Sequence, residues 1–310
     1  LPRDLSTALI AAAHLLLGIG NTVSLTIAML LSRGSAPLLG LVHGLVALGV
    51  IIQTCIINLY LDVGARHWTA ALLLALARGC SALFLSQAMR CTPAAAAAAA
   101  GGYEAAETGD EMILSRGGFP PPASRLTILG ALFAFAYQAA MVVVPVWLVS
   151  WTGGEPSSST GQMPLVYAVV PFWAGIVIGV GSLALTPSVE QKKQLVSSAL
   201  VASAGLLLPA WVLGDVFWNA AATGALVGFL MGPAYPWMVA LLIRETSEEE
   251  RLSGIAIVVA FGTAGAVTAL SIIHLASQLE SPAVLHLAVL GLFGGMLMCW
   301  NAMSDANRKT

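Results

Sequence analysis

The run Leu287-Ala288-Val289-Leu290-Gly291-Leu292-Phe293-Gly294-Gly295-Met296-Leu297-Met298 carries no polar side chain on any face, and Ala70 to Ala77 repeats the pattern. A half-buried strand alternates apolar and polar residues, and a surface helix keeps one polar stripe. These stretches do neither. A lipid hydrocarbon core is about 30 Å thick and is crossed by roughly 20 apolar residues of helix. Nine stretches reach that length, near 7–31, 37–60, 68–88, 126–150, 163–186, 194–213, 216–243, 253–277 and 282–303. Backbone groups in lipid are satisfied only inside helices or closed barrels. Runs that are apolar all round fit helices, so the expectation is an all-α membrane protein with nine transmembrane helices.

Composition agrees. Of 310 residues 58% are hydrophobic and only 9% are charged, where a soluble domain carries about 25% charge. The net charge of -2 and the lack of a basic stripe argue against a nucleic-acid partner. The cysteines, Cys55, Cys80, Cys91 and Cys299, show neither a CxxC pair nor metal-ligand spacing. No metal or other cofactor is expected. There is no HExxH, no intramembrane Asp pair, no GxSxG and no Gly-rich phosphate loop, which argues against an enzyme. The chain opens Leu1-Pro2-Arg3-Asp4 without an initiator methionine. That start is expected of part of a longer protein, or of a gene model that lost its first exon.

Loop charges set an orientation. With the N-terminus outside, nine crossings place Arg33, Arg90, Arg116, Arg125, Lys192, Lys193, Arg244, Arg251, Arg308 and Lys309 in the cytoplasm. Only Arg3 and Arg66 are left outside, with Arg78 inside a span. The positive-inside rule favours this arrangement, with a cytoplasmic C-terminus, and the plasma membrane is the expected location. Trp68, Trp151, Trp211, Trp218 and Trp300 near span ends fit interfacial anchoring. One polar segment interrupts the spans. Residues 90–125 hold the alanine run Ala94–Ala100, the acids Glu104, Glu107, Asp110 and Glu111, and Gly117-Gly118-Phe119-Pro120-Pro121-Pro122. It reads as a cytoplasmic low-complexity linker between 1–89, with three spans, and 126–310, with six.

The two sides echo each other. Gly18 and Gly20 precede Arg33, then Gly40, Gly44 and Gly49; Gly228 and Gly232 precede Arg244, then Gly254, Gly262 and Gly265. Parallel six-helix repeats build one large transporter class. Gly18-Ile19-Gly20-Asn21, with Leu38-Leu39-Gly40-Leu41-Val42-His43-Gly44-Leu45-Val46-Ala47-Leu48-Gly49, resembles the fourth and fifth helices of the major facilitator superfamily, in its fucose-permease-like branch. Gly228-Phe229-Leu230-Met231-Gly232-Pro233-Ala234-Tyr235-Pro236, with Ser253-Gly254-Ile255 through Phe261-Gly262-Thr263-Ala264-Gly265, resembles the tenth and eleventh. The resemblance implies an incomplete fold of 3 + 6 helices that lacks the first three, and a solute carrier working by alternating access. Two positions depart from it. Val180 stands where the family carries a basic residue, and Val23 where the branch carries an acid.

All 15 acidic residues fall outside the spans, so no carboxylate relay is expected within the membrane. His14 and His43, with His274, are the titratable groups that could substitute; each also reads as an interhelical hydrogen-bond partner. Polar side chains in spans face the bundle or a water-filled path. The candidates for a solute pathway are Asn21, His43, Gln53, Asn58, Tyr137, Gln138, Trp173 and Tyr235. Their amides and rings suit a small polar solute such as a sugar, with or without a coupling ion. The alternative for each is helix–helix bonding. Gly18, Gly20, Gly40, Gly44, Gly228, Gly232, Gly262 and Gly265 are read as packing positions, and Pro233 and Pro236 as a hinge or a fixed kink. Pro145 adds a bend. The partners expected are the bilayer and the solute, and no oligomer is implied. The alternative function is a truncated protein of this fold that does not transport.

Overall fold

A computed structural model describes residues 36–62, 124–152, 166–181, 189–213, 217–279 and 282–306. They belong to one compact unit that joins 28–65 to 124–310. All regular structure among them is helical: α1 (Ala36–Asp62), α2 (Arg125–Thr152), α3 (Val166–Gly181), α4 (Val189–Leu213), α5 (Phe217–Met231), α6 (Ala234–Glu245), α7 (Glu248–Gln278) and α8 (Pro282–Ala306). Since α5 and α6 are two halves of one rod broken at Gly232-Pro233, the eight segments make seven rods.

Seven of the nine expected spans therefore fall on helical rods, and a count of nine is not reached among the described residues. The spans expected at 7–31 and 68–88, with Arg78 and all but the last two residues of the 90–125 linker, lie outside them. Among the described residues four stretches are long and apolar enough to cross a membrane: Arg125–Leu148, Ala220–Glu245, Ser253–Ala276 and Val284–Ser304. Leu39–Ile52, Val169–Gly181 and Lys193–Leu208 are shorter apolar helices. The described residues are those of an all-helical membrane protein. Its outward side chains support this, because Leu287 on α8 is 71% exposed and Met298 is 74% exposed. Apolar groups so placed are at home in lipid and costly in water.

The bundle is built around α2, which packs on α7, α8, α3, α5 and α6. Phe133, Tyr137, Val143, Val144, Trp147 and Leu148 are buried on its several faces. Ser124 caps it, its Oγ accepting the Thr127 N–H at 3.3 Å. Pro145 sits inside α2 without ending it. The outer helices differ: 33% of the apolar window of α7 and of α8 is buried, against 67% for α2 and 72% for the α5–α6 rod. Between α6 and α7 the turn is two residues long. The Thr246 hydroxyl donates to the Leu242 carbonyl at 2.6 Å, and Ser247 Oγ accepts the Glu250 N–H at 3.4 Å, closing one helix and opening the next.

Glycines set the closest approaches. On α3, a Cβ at Gly175 would strike the Ala225 carbonyl oxygen, and one at Gly179 the Phe229 carbonyl oxygen. On α5, a Cβ at Gly228 would strike the Phe172 carbonyl oxygen, and one at Gly232, just past its end, would lie 2.7 Å from the Ile176 oxygen. The two small-residue faces read in the sequence are thus two sides of one contact, backbone against backbone. Gly265 of α7 meets the Phe135 carbonyl of α2 in the same way, with Gly262 next to Gln138 Cγ at 3.2 Å. Lipid tails give helices no hydrophobic reason to associate, so such close packing is what joins them. Gly40 is buried on α1. Gly44 has more room, since a Cβ there would be 3.7 Å from Val180 Cγ1. Gly18 and Gly20 lie outside the described residues. Trp300 is not an interfacial anchor: it is 2% exposed, and its indole N–H donates to the Lys193 carbonyl at 3.0 Å, tying α8 to α4.

Candidate functional site

Three helices bring one ring each to a common point. His43 comes from α1, Tyr137 from α2 and Tyr235 from α6, all buried. The His43 and Tyr235 rings stack at 5.6 Å between centroids, 26° from parallel. Tyr137 and Tyr235 stack at 5.2 Å and 29°, and His43 and Tyr137 meet tilted at 5.8 Å and 51°. Phe133 and Trp300 continue the row of rings away from Tyr137.

The break in the α5–α6 rod positions this site. Pro233 has no N–H, so the Phe229 carbonyl loses its donor four residues on. That carbonyl lies against Gly179, where only a missing Cβ leaves room for it. Pro236 likewise frees the Gly232 carbonyl. The chain re-enters a helix after Pro233 (φ -72°, ψ -22°), with the Trp237 N–H bonded to the Pro233 carbonyl at 3.1 Å. Tyr235 stands in this first turn of α6.

The polar contacts share one atom. The Tyr137 hydroxyl oxygen is 2.9 Å from His43 Nε2 and 3.4 Å from the Met231 carbonyl oxygen, the last residue of α5. A phenol has a single proton. Tyr137 can therefore donate to the imidazole or to the carbonyl, and donates to the carbonyl when His43 Nε2 carries the proton of the first bond. No carboxylate or cation joins the cluster among the described residues. Arg244 and Glu245 lie at the far end of α6, within 3.6 Å of each other.

Of the eight predicted pathway residues, the structure unites His43, Tyr137 and Tyr235. Gln138 faces α7 beside Gly262, and Trp173 meets Phe172 edge-on at 5.6 Å; neither reaches the three rings. Gln53 and Asn58 lie on the later part of α1, where side chains are outside the described set, as is Asn21. His14 is also outside it. His274 is exposed on α7. Pro236 and Pro233 are buried at the break, next to the site.

A second polar pair went unread in the sequence. The Trp147 indole N–H donates to His286 Nε2 at 2.9 Å, the rings meeting edge-on at 4.8 Å and 89°. They line a small cleft with Leu207, Leu208, Val289 and Leu290. One signal was available: both residues lie close to span ends that the order of crossings puts on the same side of the bilayer. Among the described residues no group of three or more His, Cys, Asp or Glu could hold a metal ion. No family model matches this chain, and no curated protein or solved structure does so either.

Proposed function

We propose that this chain is a membrane transporter of the major facilitator type that moves a small polar solute by alternating access. The observation that carries the reading is the meeting of His43, Tyr137 and Tyr235 at a broken helix. A ring from α1, ahead of the linker, joins two rings from the helices that follow it. Aromatic faces with hydroxyl and imidazole groups suit a neutral polyhydroxylated solute, so sugars are the first class to test. Broken helices at membrane depth are tolerated where they line a cavity or are covered by protein. The glycine and proline pattern that resembles the superfamily's tenth helix falls at this break. In this reading the chain corresponds to the fourth to twelfth helices of such a carrier, crosses the plasma membrane nine times and ends in the cytoplasm.

A second reading is a membrane protein of the same fold that does not transport. It is favoured by the closeness of the three rings, which stack on one another and fill the space between α1, α2 and α6 as core residues do. Reconstitution of the full-length protein into liposomes separates the two. Saturable uptake of a labelled sugar or small acid, reduced at least tenfold by Tyr235→Ala, is the expected result. No uptake across the panel, from protein that is folded and correctly inserted, establishes the second reading. Tags on the two chain ends test the topology, which requires them on opposite faces.

A further inference from the structure

We propose that the seam between α4 and α8 binds one anionic phospholipid, its headgroup at the Lys193 and Asn301 end and an acyl chain along the groove. Two hydrogen bonds join these helices. The Trp300 indole N–H donates to the Lys193 carbonyl at 3.0 Å, and the Ser197 hydroxyl donates to Asn301 Oδ1 at 3.1 Å. The first fixes the backbone that carries the Lys193 ammonium. The second occupies the acceptor of the Asn301 amide and leaves its NH2 group, which only donates, for another partner. Ser304, one turn further along the same flank of α8, holds a buried hydroxyl with no hydrogen-bond partner. Among the described residues no carboxylate pairs with Lys193. A cation beside an amide and a hydroxyl donor, with no acid among them, suits an anion.

Away from this end the seam is apolar. Leu297, Gly294 and Leu290 follow from Asn301 along one flank of α8, and Val201, Ala204 and Leu208 follow from Ser197 along one flank of α4. The two flanks are bonded at Ser197 and Asn301 and meet again where Leu208 and Leu290 line one cleft. Eleven residues separate these points on each helix, roughly 16 Å at 1.5 Å per residue. That is about the depth of one leaflet, half of a hydrocarbon core about 30 Å thick. Val201 and Leu208 are exposed, and a Cβ at Gly294 would meet nothing within 4 Å, so the middle of the seam is open toward lipid. The occupant follows from place and charge. Hydropathy puts the seam in the bilayer, where its apolar neighbour is an acyl chain. Around the two helix ends the sequence carries Lys192, Lys193, Arg308 and Lys309 against Glu190 and Asp305, an excess of the sign that an anionic cytoplasmic leaflet attracts. From the functional reading the proposal takes only the cytoplasmic placement of these ends, and it needs no solute.

Native mass spectrometry of the full-length protein, stripped of lipid in detergent and titrated with phosphatidylserine or phosphatidylcholine of matched chains, tests it. One phosphatidylserine should be held about fivefold more tightly, the weight of one basic side chain near an anionic surface. The preference should be lost in Lys193→Gln. It should be kept in Lys193→Arg and in Arg244→Gln, which removes an exposed cation at the cytoplasmic end of α6. Asn301→Leu and Gly294→Leu should weaken both lipids, the first by removing a donor to the phosphate they share and the second by filling the seam. Equal retention of the two lipids overturns the site. So does a preference that survives Lys193→Gln or falls as far in Arg244→Gln, and so does binding untouched by Gly294→Leu. Displacement of phosphatidylserine by millimolar inorganic phosphate would show an anion held without its chains, and overturns it too. A lipid preference without solute uptake would leave the site standing and remove the transport reading. Uptake by a protein with no lipid preference would do the reverse.

Discussion

Tyr137 touches more of the site than any other side chain. Its ring lies between Phe133 and Tyr235, and its hydroxyl bridges α1 and α5. Tyr137→Phe keeps the ring and removes both bonds. Interhelical hydrogen bonds in membranes are worth about 0.6 kcal/mol on average and up to about 1.7, so a loss in that range is expected from unfolding in mixed micelles. His286→Ala should cost more than His286→Gln. Both remove the ring that Trp147 meets, but only the first leaves the buried indole N–H with no side-chain acceptor in its place, a penalty of about 1–3 kcal/mol. Thermal unfolding of the two variants side by side checks the order. At this scale the sequence was partly legible. Polarity marked His43, Tyr137 and Tyr235 because few polar side chains occur in the spans, and the same rule marked Gln138 and Trp173. What separated them was which way each points around its helix, and the span sequences carry no amphipathic stripe from which to read that direction.

Helix pairs are held by what the glycines lack. Gly228→Ala places a methyl against the Phe172 carbonyl, and Gly175→Ala places one against the Ala225 carbonyl. Backbone cannot yield as a side chain can, so each should cost at least the roughly 1–3 kcal/mol typical of overpacking. Gly291→Ala is the control: a Cβ there meets nothing within 4 Å, and the gain in helix propensity is up to about 1 kcal/mol. Melting temperatures in detergent should fall for the first two and hold or rise for the third. The GxxxG spacing was readable, and so was the break at Pro233 and Pro236. That Gly175 and Gly179 would face Gly228 and Gly232, rather than Gly40 and Gly44 facing one of them, was not. Spacing identifies a close-packing face without naming its partner.

The whole bundle was legible as a membrane protein from hydropathy alone, because an apolar run of span length has few other uses. The central place of α2 was not, since its composition differs little from that of α7 or α8. Exposure to lipid distinguishes them. Nitroxide labels at Leu287, Met298 and Val267, exposed by 71%, 74% and 60%, should be relaxed strongly by dissolved oxygen and weakly by a water-soluble nickel chelate. Labels at Val289 and Val144, buried at 2% and 0%, should be shielded from both. An equal response at all five positions would rule out this arrangement.

The enclosure of α2 also has a bearing on how the protein is made. Its covers, α7 and α8, leave the ribosome after the other described helices, so Phe133 waits for Trp300, and Trp147 waits for His286, 139 residues further along the chain. Contacts between such distant parts of a chain form late. During that interval the central helix stands unsheltered before the cell's proteolytic surveillance. A chain stopped after Leu279 should be degraded in a pulse-chase much faster than one that runs on through α8.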